Sequence, residues 1–188
     1  MRLFIAVNLP GKERQRIYRA SSRLRDQGLP VGWIDPENYH LTLKFLGQVR
    51  ADRIPAIEAA LRKVAADNGP FPISLGGFGA FPTVRRPRVL WLGVDATPEL
   101  RCLKQDVEWA LSDLGFVTET RAFHPHITLG RADERNGAGA FRGLDDIAAA
   151  MEFSGEVPVR SIDLMRSHLS KEGTRYSVVT GVQLGSGG

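Results

Sequence analysis

Sliding the chain along itself by 86 residues brings His40-Leu41-Thr42-Leu43 onto His126-Ile127-Thr128-Leu129, and no other feature constrains the fold as tightly. Leu3 precedes His40 by the same 37 positions that separate Val89 from His126. The same ungapped offset lays the apolar run Leu3–Asn8 on Val89–Val94, the amphipathic stretch from Lys12 on that from Pro98, and Phe71-Pro72-Ile73 on Val157-Pro158-Val159. Arg2 falls on Arg88, and the helical pattern after Ile54 falls near Leu144–Met151. So many features on one offset indicate an internal duplication. A period this long is no solenoid repeat. It predicts a single bilobal domain over residues 1–188, with repeats at about 1–86 and 87–184 and a disordered, anchor-free tail at 185–188.

Local signals give an alternation of strands and helices. Leu3–Asn8 reads as a buried strand stopped by Pro10-Gly11, and Ile17, Ala20 and Leu24 mark a charged amphipathic helix from Lys12 to about Gln27. His40–Leu46 alternates as a strand, and Ile54, Ile57, Leu61 and Val64 give a helix closed by Asn68-Gly69-Pro70. Phe71–Leu75 and Val89–Val94 read as strands on either side of a Gly- and Pro-rich connection at 76–88. Thr97-Pro98 is a capping hydroxyl followed by proline, which opens a helix carrying Leu100, Leu103, Val107, Ala110 and Leu114.

The chemistry lies in the repeated tetrapeptide. Alternation puts His40 and Thr42 on one face of their strand, with Leu41, Leu43 and Phe45 on the other; His126 and Thr128 likewise share a face. Two lobes related by a pseudo-two-fold then present two imidazoles and two hydroxyls across a cleft. In-line displacement at phosphorus needs a base at the attacking oxygen and an acid at the leaving one. Two histidines near their ordinary pKa of ~6.5 supply both, and threonine hydroxyls suit the non-bridging oxygens between them. One His-x-Thr in a strand is usually structural. Two at matched positions, using two of four histidines, favour catalysis.

Composition narrows the partners. The balance of 25 Lys+Arg against 21 Asp+Glu, a net charge of +4, leans toward an anionic partner without the field of a dedicated duplex binder. The single Cys102 excludes an intramolecular disulfide or a cysteine-rich metal site and fits a reducing, cytoplasmic compartment. No apolar run approaches the ~20 residues of a membrane span. His124 and His126 have chelating spacing, but no carboxylate or thiol set accompanies them. The expectation is no metal, no cofactor, no membrane and a monomer whose two lobes complete the site.

The motifs His40-Leu41-Thr42-Leu43-Lys44-Phe45-Leu46-Gly47 and Phe123-His124-Pro125-His126-Ile127-Thr128-Leu129-Gly130-Arg131 resemble those of the two-histidine phosphoesterase superfamily. The branch they resemble most is the RNA 2′,3′-cyclic phosphodiesterase, or 2′-5′ RNA ligase (LigT-like), family. The resemblance extends to Arg2-Leu3-Phe4-Ile5-Ala6 and to Arg86-Pro87-Arg88 before Val89-Leu90-Trp91. It implies an α+β fold of two antiparallel sheets facing a central cleft, with helices on the outer faces. It also implies metal-independent opening of 2′,3′-cyclic phosphates at RNA ends to 2′-phosphomonoesters. By motif, His40 becomes the proton donor to the leaving 3′ oxygen, His126 the acceptor from water, and Thr42 and Thr128 the phosphate ligands. Symmetry alone does not order the two histidines. An RNA 5′-hydroxyl in place of water would give a 2′-5′ linkage.

Arg131 occupies the family's usual place for an arginine near the phosphate, although strict alternation turns it away from His126; a bulge, a strand end or its length must bring it round. Lys44 shares the His40 face by the same alternation and reads as a solvated lysine or a contact to substrate backbone. Arg85, Arg86 and Arg88, near Phe78 and Phe81, read either as an RNA funnel or as solvated charge on a flexible connection. Alternative functions are a phosphodiesterase on small cyclic nucleotides or 2′-5′ oligonucleotides, and a catalytically idle module that binds RNA ends.

Overall fold

The computed structural model describes residues 1–133, 135–137 and 139–185. Its strands are β1 (Arg2–Asn8), β2 (Val31–Trp33), β3 (His40–Gln48), β4 (Phe71–Pro82), β5 (Pro87–Val94), β6 (His126–Ala132), β7 (Ser154–Val159), β8 (Ser161–Ser170) and β9 (Gly173–Gln183). Its helices are α1 (Gly11–Ala20), α2 (Ser22–Arg25), α3 (Ile54–Asp67), α4 (Pro98–Ser112) and α5 (Leu144–Ala150). The caps agree with their sequence signals: Thr97 Oγ1 accepts from the Leu100 N–H at 3.3 Å, with Pro98 at the first helical position.

All pairings are antiparallel, in the order β7-β4-β5-β6-β3-β1-β8-β9, with β2 added to β6. The middle of this path is its weakest point, because β3 and β6 share the single register pair Leu41–Ile127. A four-stranded sheet (β3-β1-β8-β9) and a five-stranded one (β7-β4-β5-β6 with β2) therefore splay apart from one bridge and leave a cleft between them. Leu41 and Ile127 are fully buried there, each contributing about 1.5–3 kcal/mol of burial, and anchor the line about which the sheets diverge. The outer faces are helical. α3 lies on β8 and β9 and α4 on β3, while α5 lies on β4. α1 reaches the start of β7 through Arg16, which donates to the Ser154 carbonyl at 3.0 Å and stacks on Phe153.

The two sheets are not the two sequence halves. β4, from the first half, pairs with β5; β8 and β9, from the second, return to β1. Phe71-Pro72-Ile73 and Val157-Pro158-Val159, alike in sequence, are hydrogen-bonded neighbours in register rather than symmetry mates. The first strands correspond at an offset of one residue less than the motifs: Asn8 faces His40 as Gly93 faces His126, and Ala6 faces Thr42 as Trp91 faces Thr128. Arg2 therefore does not match Arg88. One residue matters here, since a slip of one exchanges the buried and cleft faces of a strand.

Three local expectations change. The connection at 76–88 is largely strand, because β4 continues to Pro82 and forms a hairpin with β5. Its glycines serve packing and a bulge. Gly77 has φ of 78°, and a Cβ on Gly79 would sit 2.5 Å from the Trp91 ring. The first helix breaks at Ser21, whose hydroxyl donates to the Ile17 carbonyl at 2.9 Å. Of the expected disordered tail, Gly185 is instead tied down by its N–H to the Ala65 carbonyl at 2.8 Å; residues 186–188 lie outside the described residues.

Candidate active site

β3 and β6 deliver the two His-x-Thr motifs to the cleft with the same local geometry. Over His40–Leu46 and His126–Ala132 the strands step through one identical order of half-buried, buried and exposed positions. Each begins with strict alternation, so His40, Thr42, His126 and Thr128 leave the core face to Leu41, Leu43, Ile127 and Leu129. Leu41 and Ile127, each between the histidine and the threonine of its motif, are the one register pair of the two strands, so the two motifs meet at the bridge.

Each imidazole is pinned by the backbone two residues upstream. His40 Nδ1 lies 2.7 Å from the Asn38 carbonyl, and His126 Nδ1 lies 2.6 Å from the His124 carbonyl. A carbonyl only accepts, so Nδ1 carries the proton in both rings and Nε2 is left for chemistry. His40 Nε2 is 2.9 Å from Thr42 Oγ1. The Thr42 hydroxyl donates to the neutral ring and accepts from the protonated one.

Aromatic walls complete the positioning. Tyr176 meets His40 edge-on at 5.1 Å between centroids, and Phe4 lies 5.0 Å from the same ring. Phe81 meets His126 edge-on at 5.0 Å, with Trp91 at 6.5 Å. Behind His40, Asn8 Nδ2 donates to Asp163 at 2.6 Å, and Arg14 donates to Asn8 Oδ1 and the Tyr39 carbonyl, both at 3.1 Å.

These surroundings overturn the expectation of ordinary histidine acidity. Burial pushes the His40 imidazole down to about 4, against the bond to Asn38, with the positive charges of Arg14 and Arg131, and of His126 once it is protonated, adding to the effect. Burial also lowers His126, with Arg131 and His124 reinforcing it and the His124 carbonyl opposing. Both rings are neutral near pH 7 in the free protein, since desolvation and neighbouring cations penalise the imidazolium.

A bulge in each motif strand settles the residues that alternation left open. Against β1, Leu43 is the extra residue between Thr42 and Lys44; against β5, Leu129 is the extra residue between Thr128 and Gly130. Past the bulge the faces exchange. Arg131 comes round to the cleft side, where its charge reaches both histidines. Phe45, expected in the core, is instead 66% exposed. Lys44, expected in solvent or on substrate, is buried beneath the strand and donates to Glu108 Oε2 and to the Val117 carbonyl, both at 2.8 Å.

The Gly-rich segment is divided. Phe81 reaches His126, whereas Arg85, Arg86 and Arg88 line a separate cavity of about 710 Å³ with Arg142, Asp133 and Asp145. His124 is exposed and holds His126 through its backbone; His168 is exposed on β8, its Nε2 2.8 Å from Ser177 Oγ. Sequence reasoning missed Phe4, Tyr176, Trp91 and the Asn8–Asp163–Arg14 chain. Phe4 and Trp91 were within reach of a correct strand offset. Tyr176 was not, because β9 closes on β3's sheet from the far end of the chain. Among the described residues no group of three or more His, Cys, Asp and Glu side chains could hold a metal ion, and no helix is long and apolar enough to cross a membrane.

Comparison with known proteins gives a consistent picture. The sequence model of the family described as LigT like Phosphoesterase matches the chain twice, at residues 7–91 and 92–176. An RNA 2′,3′-cyclic phosphodiesterase of Aeropyrum pernix is 37% identical over 172 residues, covering 89% of this chain and 96% of the relative. One of Archaeoglobus fulgidus is 36% identical over 178 residues, covering 94% and 96%. Among solved structures, TT0787 of Thermus thermophilus superposes with a TM-score of 0.82 at 29% identity, covering 98% of both chains. E. coli LigT complexed with 3′-AMP superposes at 0.77 with 28% identity, covering 97% of both.

Proposed function

The chain belongs to the LigT-like phosphoesterase family, and from that premise we propose that it hydrolyses 2′,3′-cyclic phosphates at RNA ends to 2′-phosphomonoesters; the relatives that support this reading are named RNA 2′,3′-cyclic phosphodiesterase. The observation that carries this reading is the paired anchoring of His40 and His126. Each ring holds its Nδ1 proton on a carbonyl and keeps Nε2 for transfer, on two strands that diverge from one bridge.

The reaction runs as an in-line displacement. His126 Nε2 takes a proton from water as the water oxygen bonds to phosphorus. The bond from phosphorus to the 3′ oxygen breaks on the opposite side, and His40 Nε2 gives its proton to that oxygen. Thr42 and Thr128 donate to the non-bridging oxygens, and Arg131 balances the charge that develops there. A free-state value of about 4 leaves His40 unprotonated near neutrality. The phosphodiester anion, entering between Arg131 and the rings, favours the imidazolium and so loads the acid only when substrate is present. An RNA 5′-hydroxyl in the water position gives a 2′-5′ linkage by the same steps.

The direct test is incubation with an oligonucleotide ending in a 2′,3′-cyclic phosphate, in the presence of a chelator, and analysis of the product end. A 2′-phosphate is expected. Binding without any product would replace the enzyme by an RNA-end-binding module.

A further inference from the structure

Asn38 sits on the turn just ahead of β3 and Thr174 near the tip of the β8–β9 hairpin, yet the Asn38 side-chain amide donates to the Thr174 carbonyl at 3.0 Å. Their registers put them at opposite corners of the sheet. Asn38 lies two residues beyond the Asn8–His40 pair, at one end of β1. Thr174 lies two residues beyond Tyr176, which aligns through Ser167 with Arg2 at the other end. β1 and β8 also stand between β3 and β9. At ~3.3 Å per residue and ~4.8 Å per strand, a flat sheet would hold the two roughly 30 Å apart or more. The hairpin therefore folds back across the cleft face, and the Asn38 side chain fastens it there.

Tyr176 is what this fold-back lays on His40. Its ring packs on the small cluster of Phe4, Ala6 and Met165, apart from the main core, and meets the imidazole edge-on at 5.1 Å. Asn38 thus holds His40 twice: its carbonyl takes Nδ1 at 2.7 Å, and its amide holds the strand that carries Tyr176. The turn itself is fixed from both sides. The Asn38 N–H donates to the Asp35 carbonyl at 2.8 Å, and Arg14 donates to the Tyr39 carbonyl at 3.1 Å. At the 86-residue offset the equivalent of Asn38 is His124, which also gives its carbonyl to its histidine and lies 6.1 Å from the walling Phe81 ring. There the bond from imidazole to carbonyl is exposed, whereas at His40 it is partly buried.

We propose that the Asn38 side chain is a positioning residue for the reaction: by latching the β8–β9 hairpin it keeps Tyr176 on His40, and so holds that imidazole dry and correctly aimed. This rests on the phosphodiesterase reading above and adds a residue that acts on the acid without touching the substrate. A ring pinned only at Nδ1 can still rock about that bond; Tyr176 and Phe4 confine it. Keeping water from the ring makes its charged form costly, and a fixed Nε2 is what proton transfer to a bound oxygen requires.

Asn38→Ala keeps the carbonyl and removes the latch, and the His40 and His126 ring protons are followed by NMR as pH is varied. The charged and titratable groups that face His40 are Arg14 on α1, Arg131 and His126 on β6 and Tyr176 on β9, with Asp163 on β8 reached through Asn8; the variant alters none of them. His40 should move up from about 4 toward ~6.5, with His126 unmoved as the internal reference. On an oligonucleotide ending in a 2′,3′-cyclic phosphate, kcat should fall about tenfold or more with KM nearly unchanged. Tyr176→Ala should act alike, and the double variant should be no worse than Tyr176→Ala, because the same contact is removed twice. Tyr176→Phe, which keeps the ring, should titrate as the wild type. An unmoved His40 in Asn38→Ala, effects that add in the double variant, or both histidines moving together, as in a general loosening, overturns the latch. Should Asn38→Ala not fold, Asn38→Ser, whose side chain stops short of Thr174, is held to the same criteria. The titration needs no turnover, so it judges the latch even if the wild type opens no cyclic phosphate, which would instead refute the phosphodiesterase reading.

Discussion

Glu108→Gln should be the most informative single change to the scaffold. The Glu108 carboxylate, on α4, accepts from Lys44 Nζ at 2.8 Å, from Lys104 Nζ at 2.7 Å and from the Glu119 N–H at 3.2 Å. Lys44 also donates to the Val117 carbonyl, and Lys104 to the Leu43 carbonyl at 2.6 Å. One carboxylate therefore ties the bulge of the His40 strand to the segment that leads into His126. The Lys44 and Glu108 side chains are only 4% and 5% exposed. Glutamine keeps the shape but removes the charge and turns one acceptor into a donor facing an ammonium. Breaking a buried pair costs about 3–5 kcal/mol, because the remaining charge is left uncompensated. Lys104, at 14% exposed, can swing toward water, which places the expectation near 3 kcal/mol. For a chain of 188 residues that is roughly a 6–12 °C fall in Tm.

The pH dependence gives a second reading of the same pair. Burial raises the Glu108 pKa, but its bonds to Lys104 and Lys44 outweigh that and hold it below the usual carboxylate range. A depressed folded-state value contributes stability fully above the unfolded value of ~4.3 and loses it as pH falls through the folded one. The gap between wild type and Glu108→Gln should accordingly narrow in acid. Urea unfolding at pH 7 and pH 3 measures both. The double variant Lys44→Met, Glu108→Leu should recover much of the loss, since apolar replacement of a buried pair is often neutral or better. A fall in Tm below about 2 °C, or a double variant no better than the single, would refute the reasoning.

The catalytic assignment predicts that His40→Ala and His126→Ala each lower kcat by about 10²–10⁴ with substrate binding retained; a near-normal rate in either variant sinks it. The pH profile of kcat/KM should be a bell with its limbs on the acid side of ~6.5, and that of kcat should lie to the alkaline side of it, because bound phosphodiester favours both imidazoliums. Arg131→Gln should move the kcat/KM profile upward in pH, since the guanidinium charge lowers both histidines; an unmoved profile would remove Arg131 from the site. Gly79→Ala drives a methyl into the Trp91 ring and should cost about 1–3 kcal/mol, with a change in Trp fluorescence. Unaltered fluorescence and Tm would show that the indole beside His126 is free to move.

The pattern of His-x-Thr, the caps and the helical stripes were all legible, because each depends on neighbours within a turn or two of chain. Thr97-Pro98 opened a helix as read, and Leu41 and Ile127 took the core face as alternation required. The segment at 76–88 misled because glycine has low strand propensity; Gly79 is there to clear Trp91, a contact made only once β4 lies on β5. The alternation Ser161-Ile162-Asp163-Leu164 marks β8 in the sequence, but the contribution of Tyr176 to the His40 wall depends on the pairing of β9 with β8 and of β8 with β1, which local periodicity does not reveal.

By itself the sequence determined that two equivalent strands each carry an imidazole and a hydroxyl on one face, since period-two alternation is a property of the extended chain alone. Only the tertiary structure decided the faces taken by the residues beyond each motif. The bulges at Leu43 and Leu129 exist because a partner strand is one residue shorter over the same ladder, and they exchange the faces past them. That exchange buries Lys44 on Glu108, exposes Phe45 and turns Arg131 toward the histidines. Burial then lowers both imidazoles, which no count of four histidines could have revealed, because acidity is set by the surroundings that folding brings together.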